Sequence, residues 1–343
     1  MEKIQDIFLK IPASRIQWQE FLASMNLRAP ADPEMLDETV GIFDDRTGEI
    51  LACGSVKGNI IQLVAASSSE DLSSARFNTI ITELSNRLAA RGLHHIFVFT
   101  KAEYSQSFQY LGFHELVQTE AAALLEKGRP DIHDFLENAP KPQGRRIASI
   151  VMNANPFTLG HRALVEKAAE ENEQVIVFVV ASDGSLFTPG ERLLLVQQGL
   201  ADLPNVSVTT GGDYMVSFAT FPSYFIKDEA GITKYQTELD ARLFGKWMVP
   251  ALGITSRYLG EEPFSETTEI YNQTLKHELS GLIEVKIIPR KETEHEIISA
   301  TAVRRAIKDG ELLKVKAFVP ATTYRFIEEN LNEIQGRIEE NGN

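Results

Sequence analysis

The segment at residues 147–169, IASIVMNANPFTLGHRALVEKAA, reads as a buried strand, a polar turn and a helix. Residues 147–152 form a mostly apolar run, which favours a strand in the interior of a parallel sheet. Asn153 and Asn155 interrupt the run, and the residues after Gly160 carry apolar side chains at helical spacing. The first turn of such a helix presents free backbone N–H groups and the positive end of its dipole. This order of elements therefore predicts an anion site above the strand.

A second motif lies far downstream at residues 298–304, ISATAVR. Ser299 is predicted to cap a helix, Thr301 lies in its first turn, and Arg304 follows on the same side. Hydroxyl groups, backbone amides and a guanidinium in this arrangement would converge on phosphate oxygens. A third element, TPGER, places Arg192 in the first turn of the helix after the second predicted strand.

Each motif also has a purely structural interpretation, in which His161 is an exposed polar residue in a first turn and Ser299 is an ordinary cap. Short motifs match by chance, so either one alone favours that interpretation. Because the motifs occur together, in order and each after a predicted strand, they favour the functional interpretation. The functional interpretation puts His161 within hydrogen-bond reach of a transferring phosphoryl group, where it stabilises charge on the leaving pyrophosphate.

Composition limits the classes of protein to which the chain can belong. The formal net charge of −14 argues against a general affinity for nucleic acid or an anionic membrane, so a phosphate site must be a local island of positive charge. No apolar run approaches the length of a membrane span and no basic leader is present, which predicts a cytoplasmic location. The single cysteine, Cys53, lies in an apolar run, which favours a buried, inert thiol. No histidine or carboxylate cluster has metal-ligand spacing, so no metal site is predicted.

The chain is predicted to contain two domains. Residues 139–146, APKPQGRR, are rich in Pro, Gly and positive charge and indicate a linker. Residues 1–138 read as helix, hairpin, strand, helix, strand and helix, a smaller α+β domain. Residues 147–343 alternate strands and helices, which predicts a Rossmann-like α/β domain with a parallel sheet. Ligands bind such sheets at the carboxyl ends of the strands, where all three motifs are predicted to lie.

The motifs resemble those of two known superfamilies. TLGH and ISATAVR resemble the T/HxGH and ISSTxxR signatures of the nucleotidyltransferases, with Ala300 in place of one Ser. The layout of the first 120 residues, and YLGF at 110–113, resemble a GNAT acetyltransferase domain. Residues 69–75, SEDLSSA, lack the glycines with which that family cradles a pyrophosphate. Acetyl transfer from acetyl-CoA is therefore not expected, and a docking, substrate-presenting or purely structural role is favoured.

Taken as a whole, with FPSYF at 221–225, GEEPF at 260–264 and FVP at 318–320 in order, the chain resembles the citrate lyase ligase family. The resemblance implies ATP-dependent acetylation, by acetate, of the prosthetic-group thiol on the acyl carrier subunit of citrate lyase. An acetyl-adenylate would form, AMP and pyrophosphate would be released, and Mg²⁺ would be held largely by phosphates and water.

The resemblance also implies roles for nine residues. His161, Thr158 and Arg304 are the expected catalytic residues. Asn153 and Asn155 orient phosphate or acetate, or simply form the turn after the strand. The expected ATP-binding residues are Asn153, Asn155, Gly160, Arg192, Ser299 and Thr301.

Two other classes of function remain open from the sequence. A simple nucleotidyltransferase, joining ATP to a phosphate-bearing small molecule, would share every phosphate motif and differ in its acceptor pocket. A non-catalytic binding protein or a GNAT-type acetyltransferase is disfavoured, because the phosphate motifs are intact and the glycine-rich loop is absent.

Overall fold

The computed structural model describes residues 2–67, 72–181, 185–215, 229–261, 266–289 and 298–341. By its internal contacts the chain divides into two compact units. One comprises Met1–Asp134 and Phe221–Leu239, and the other Phe135–Thr220 and Asp240–Asn343. The predicted linker, 139–146, contains no helix or strand and belongs to the second unit.

Parts of three quoted motifs lie outside the described residues. They are residues 69–71 of the serine-rich loop, all of FPSYF, and residues 262–264 of GEEPF.

The first unit contains a seven-stranded mixed sheet in the order β1-β2-β3-β4-β5-β7-β6, in which β4 and β5 pair in parallel and the other neighbours are antiparallel. Its strands are β1 (Glu2–Asp6), β2 (Glu38–Asp44), β3 (Ile50–Lys57), β4 (Ile60–Ala66), β5 (Ile96–Lys101), β6 (His114–Gln118) and β7 (Ala122–Lys127). Its helices include α1 (Pro12–Ser24), α2 (Ser73–Ala90) and α3 (Ser105–Tyr110).

The predicted order for this unit matches α1, the β2–β3 hairpin, β4, α2, β5 and α3, but three strands are additional. β1 is exposed at all five positions and therefore has no apolar alternation from which to predict a strand. β6 and β7 follow the last predicted helix as a hairpin. The α+β class is confirmed.

The core of the first unit depends on close packing of α2 against β3. Ile80 and Leu84 of α2 are fully buried. A Cβ at Gly54 would lie 2.7 Å from Ile80 Cγ2 and 2.8 Å from Leu84 Cδ1, so only glycine allows this approach. Cys53, next in the chain, is fully buried and unpaired, and burial raises the pKa of its thiol to about 12. The prediction of a buried cysteine is confirmed.

The second unit contains a five-stranded sheet in the order β10-β9-β8-β11-β12, with every pair parallel. Its strands are β8 (Ile147–Met152), β9 (Gln174–Val179), β10 (Val206–Thr210), β11 (Ser256–Gly260) and β12 (Glu284–Ile288). The predicted parallel α/β fold is confirmed.

Helices surround this sheet, and the unit division falls within two of them, α4 (Ile132–Asn138) and α7 (Glu229–Leu243). A π-helical stretch, Phe244–Met248, continues α7. The remaining helices are α5 (Leu159–Glu171), α6 (Pro189–Gly199), α8 (Val249–Leu252), α9 (Glu266–Glu278), α10 (Ala300–Lys308), α11 (Leu312–Phe318), α12 (Ala321–Glu329) and α13 (Leu331–Asn341). None of the described helices is long and apolar enough to cross a membrane.

The strand order identifies where a ligand site is expected in the second unit. From the central strand β8 the chain proceeds outward through β9 and β10, and it then returns to β11 on the other side of β8. The order reverses at this point, and ligands of open α/β sheets bind at the carboxyl ends of the strands beside such a reversal. The loop after β8 and the first turn of α5 lie at this position.

Candidate active site

The first turn of α5 is organised by reciprocal hydrogen bonds between Thr158 and His161. The His161 backbone N–H donates to Thr158 Oγ1 at 3.3 Å, and the Thr158 backbone N–H donates to His161 Nδ1 at 3.1 Å. Thr158 is 1% exposed, and the imidazole stacks on Phe157 with 5.9 Å between ring centroids. This is a capping box in which histidine occupies the position usually held by a glutamate or glutamine.

The capping box determines which nitrogen of His161 carries the proton in the neutral ring. Because Nδ1 accepts the hydrogen bond from the Thr158 N–H, its lone pair is engaged and the proton resides on Nε2. His161 therefore presents an Nε2–H donor at the N-terminus of α5, next to the positive end of the helix dipole. A donor in this place suits stabilisation of a negatively charged oxygen.

Gly160 allows the two distant motifs to meet. A Cβ at Gly160 would lie 3.3 Å from the Ile298 carbonyl oxygen and 3.5 Å from Thr158 Oγ1. The first turn of α5 is therefore in close contact with the backbone that leads into α10. Since Ser299 follows Ile298 directly, the residues predicted from TLGH and from ISATAVR lie close together.

Ser299, at the start of α10, and Arg304, within it, form hydrogen bonds with different partners. Ser299 is the N-cap, and its Oγ accepts a hydrogen bond from the Ala302 N–H at 3.1 Å. Arg304 donates through Nη1 to the Asn155 carbonyl at 2.7 Å and through Nη2 to Thr301 Oγ1 at 3.2 Å. The guanidinium thereby attaches α10 to the loop after β8.

Arg304 places a positive charge next to the loop after β8. Burial lowers the pKa of its guanidinium, which nevertheless stays protonated because an arginine pKa lies far above neutrality. Within the described ranges no carboxylate forms an ion pair with Arg304. Among the described residues, the half-buried positive charge is therefore balanced by carbonyl and hydroxyl dipoles, an environment that favours an anion nearby.

Arg192 lies beneath the loop after β8 and is completely buried. It donates from Nε to the Phe187 carbonyl at 3.1 Å, and from Nη1 to the carbonyls of Asn153 at 3.1 Å and Val180 at 2.8 Å. Asn153 Oδ1 also accepts from Nη1. In this structure Arg192 holds the backbone that shapes the site, and direct contact of Arg192 with phosphate stays a prediction.

Asn155 connects the two arginines. Its side-chain oxygen accepts from the Phe187 N–H at 3.0 Å, and its carbonyl accepts from Arg304. Hydrogen bonds therefore run from Arg304 through Asn155 and Phe187 to Arg192 and Asn153. The structure brings all nine predicted residues into a single neighbourhood, and their contact with ATP stays a prediction.

Two residues that the sequence analysis did not single out support this neighbourhood. Phe157 is fully buried beneath the imidazole, and a Cβ at Gly199 would lie 2.5 Å from its ring. Arg337 of α13 donates to both carboxylate oxygens of Glu191, at 2.8 and 2.9 Å, and so holds the first turn of α6. Phe157 is part of NPFTLGH, so its place next to the site could have been predicted. Nothing in the sequence pairs Arg337 with Glu191.

Comparison with known proteins decides the family. Residues 147–327 match the model of the citrate lyase ligase C-terminal domain. The chain is 37% identical over 304 residues to the [citrate [pro-3S]-lyase] ligase of Escherichia coli, and the match covers 85% of this chain and 86% of that protein. The chain belongs to the citrate lyase ligase family. It is accordingly an enzyme of this ligase type.

Solved structures resemble separate parts of this citrate lyase ligase family member. Thermotoga maritima TmcAL bound with alpha-thio ATP matches with a TM-score of 0.38 and 15% identity, over 56% of this chain and 57% of that one. The aminoglycoside 6′-N-acetyltransferase of Enterococcus faecium matches with a TM-score of 0.30 and 14% identity, over 38% of this chain and 99% of that one.

Proposed function

We propose that the second unit activates acetate with ATP and that the chain transfers the acetyl group to the prosthetic-group thiol of the citrate lyase acyl carrier subunit. The main support is the convergence of His161, Arg304 and the N-terminus of α5 at the carboxyl end of β8. Membership of the citrate lyase ligase family supports the choice of substrates and partner.

The proposed reaction has two steps. In the first, an acetate oxygen attacks the α-phosphorus of ATP, and the bond from this phosphorus to the oxygen bridging to the β-phosphate breaks. Pyrophosphate leaves and acetyl-adenylate remains. In the second, the carrier's thiol sulfur attacks the acetyl carbonyl carbon, the bond from this carbon to the AMP oxygen breaks, and the thiol proton passes to solvent.

The residues of the site act mainly by positioning and by charge stabilisation, as phosphoryl-transfer chemistry requires. Arg304 and the Nε2–H of His161 stabilise the negative charge that develops on the leaving pyrophosphate. Ser299 and Thr301 contribute hydroxyl groups to the β- and γ-phosphates. Arg192, Asn153 and Asn155 keep the loop after β8 in the shape that accepts the nucleotide.

The thiol is proposed to come from the partner protein. Cys53, the one cysteine of the chain, is fully buried, and its raised pKa keeps it protonated at neutral pH. A thiol of this kind is a poor nucleophile, so acetyl transfer to an external thiol fits this chain.

Mg²⁺ supplies charge neutralisation when it accompanies the nucleotide. The described residues contain no group of three or more His, Cys, Asp or Glu side chains arranged to hold a metal ion. A Mg²⁺ ion coordinated by phosphate oxygens and water, with few protein ligands, fits this set of residues.

The experiment that tests this function is exchange of labelled pyrophosphate into ATP with purified protein, Mg²⁺ and acetate, without carrier. Exchange that requires acetate would establish that a carboxylate is adenylated. Exchange with acetate absent, on addition of a phosphate-bearing acceptor, would favour a simple nucleotidyltransferase. If protein that binds ATP shows no exchange with acetate even when the carrier is added, the proposal is wrong.

A further inference from the structure

The helices at and after the second motif differ in charge from the rest of the chain. Residues 300–325, which include α10, α11 and the first half of α12, contain six basic and two acidic side chains, whereas the whole chain has a net charge of −14. Arg305, Lys308, Lys316 and Arg325 are exposed. We call residues 300–325 the basic segment. A local positive surface on a strongly acidic protein attracts negatively charged partners.

A groove lies between α10 and α11 within this basic segment. Its volume is about 450 Å³, and its charged lining consists of two basic residues, Arg305 and Lys314, and two acidic residues, Asp309 and Glu311, beside Ser299 and Thr301. The side chain of Arg305 is 83% exposed, and its ion pair with Asp309 is long, at 3.8 Å. Such an exposed pair contributes little, so the charge of Arg305 is available to a partner.

One end of the groove coincides with the proposed active site. Ser299 and Thr301 line the groove, and Thr301 Oγ1 also accepts the hydrogen bond from Arg304. From Thr301 to Asp309 the helix axis extends about 12 Å, at a rise of about 1.5 Å per residue. The groove is therefore long enough to hold a slender, extended chain whose end reaches the reacting atoms.

An apolar side chain lies next to this charge. Leu313 of α11 is 86% exposed and is followed by Lys314, which lines the groove. A single exposed leucine is common on protein surfaces. Combined with basic neighbours and a groove, it has the composition of a docking surface with an apolar contact and complementary charges.

We infer that the basic segment docks the carrier through an acidic face of that protein, and that the groove receives the arm that bears the thiol. The inference rests on the proposed function, because it assumes a thiol-bearing protein partner. Arg305 and Lys308 steer and hold the acidic face, Leu313 makes the apolar contact, and the arm follows α10 to Ser299 and Thr301. A second copy of this chain, whose net charge is also negative, is the competing occupant.

The test compares two variants with equal changes in charge. Arg305→Glu/Lys308→Glu reverses the basic segment, and Arg46→Glu/Lys276→Glu reverses two exposed basic residues elsewhere. Binding of the fluorescently labelled acyl carrier subunit is measured by anisotropy at low and high salt. Acetate-dependent pyrophosphate exchange is measured separately without carrier, and the mass in solution is determined for each protein.

We expect Arg305→Glu/Lys308→Glu to raise the Kd for the carrier at least about tenfold at low salt, to reduce its salt dependence, and to leave exchange within about twofold of the wild type. The matched control should bind like the wild type. Equal Kd values for both variants would overturn docking on this surface. A wild-type dimer that dissociates in the first variant would instead identify a contact between copies. Failure of exchange in the wild type would count against the proposed function, whereas the anisotropy measurement tests docking independently.

Discussion

Arg76 and Arg87 of the first unit are used differently from Arg304 of the second unit. In the first unit Arg76 donates to Glu2 at 2.7 Å, and Arg87 forms ion pairs with Asp6, Glu38 and Glu83. In the second unit Arg304 bonds to a carbonyl and a hydroxyl, and within the described ranges it has no carboxylate partner. Pairing with carboxylates neutralises a charge and serves structure. A half-buried guanidinium held by dipoles keeps its charge for a ligand.

Arg192 sharpens this comparison, because it is more deeply buried than the others and yet donates to carbonyls. It supports the loop after β8 from below, whereas Arg304 completes the same loop from α10. The two arginines therefore contact the same loop from different elements, Arg192 from α6 and Arg304 from α10. The guanidinium of Arg192 fixes the backbone, and that of Arg304 is the one that we propose contacts the substrate.

The largest effect is expected from Arg192→Met. The carbonyls of Asn153, Val180 and Phe187 would lose their donor, the last two in buried hydrogen bonds, so the free energy of unfolding should fall by about 3 kcal/mol. Urea denaturation measures this loss, and activity should fall with it because the loop changes shape. Arg87→Met, which breaks partly exposed ion pairs, should cost only about 1 kcal/mol and leave exchange unchanged. Equal losses of stability in both variants would contradict the expectation that Arg192 contributes more to stability than Arg87.

Arg304→Met is expected to affect activity more than stability. Loss of a charge-assisted contact to phosphate should lower the acetate-dependent exchange rate about ten- to a hundredfold. The free energy of unfolding should fall by less than about 1.5 kcal/mol, since both acceptors of Arg304 are neutral and Thr301 is exposed to water. Arg304→Lys keeps the charge but not the planar fork, and it should be intermediate. Normal exchange in a folded Arg304→Met variant would remove this residue from the mechanism.

His161→Ala should reduce exchange about tenfold or more, while circular dichroism and the melting temperature change little. The reason is loss of the Nε2–H donor, which the capping box orients. His161→Asn tests capping separately, because its amide oxygen accepts a hydrogen bond from the Thr158 N–H in place of Nδ1. Both variants should lose activity. If asparagine restored full exchange, His161 would act only as a cap.

The smallest effect concerns a surface cluster in the second unit and should appear only in the pH dependence of stability. Hydrogen bonds from Lys167, Tyr258 and Lys286 lower the pKa of Glu171 from 4.5 to about 2. A lowered carboxyl pKa stabilises the folded state above pH 4.5, and this contribution disappears as the pH falls toward 2.

Glu171→Gln should therefore lower the melting temperature most near neutral pH, with the difference from the wild type shrinking as the pH falls through the range between these two pKa values. Differential scanning calorimetry at a series of pH values checks this expectation. Glu170→Gln, an exposed neighbour, is the matched control. A difference in melting temperature that does not vary with pH would show that the ionisation of Glu171 does not contribute to stability. Exchange should be unchanged in both variants.

Much of the fold followed from local patterns. The apolar run at 147–152 predicted β8, and the asparagines that follow it predicted the loop of the site. β1 was not predicted, because all five of its residues are exposed and its sequence shows no apolar alternation. Its pairing with β2 depends on backbone hydrogen bonds. The sequence did not predict the change from α-helix to π-helix at Phe244.

By itself the sequence determined the caps of the two site helices, because Thr158 and Ser299 each bond to a backbone group only three residues away. Such contacts depend on residue type and local spacing. Only the tertiary structure decided which arginine faces the site and which lies beneath it. Arg304 reaches the carbonyl of Asn155, 149 residues away, and Arg192 reaches that of Asn153, 39 residues away. Every residue has a carbonyl, so these partners carry no signal in the sequence and are selected by the packing of the sheet and its helices.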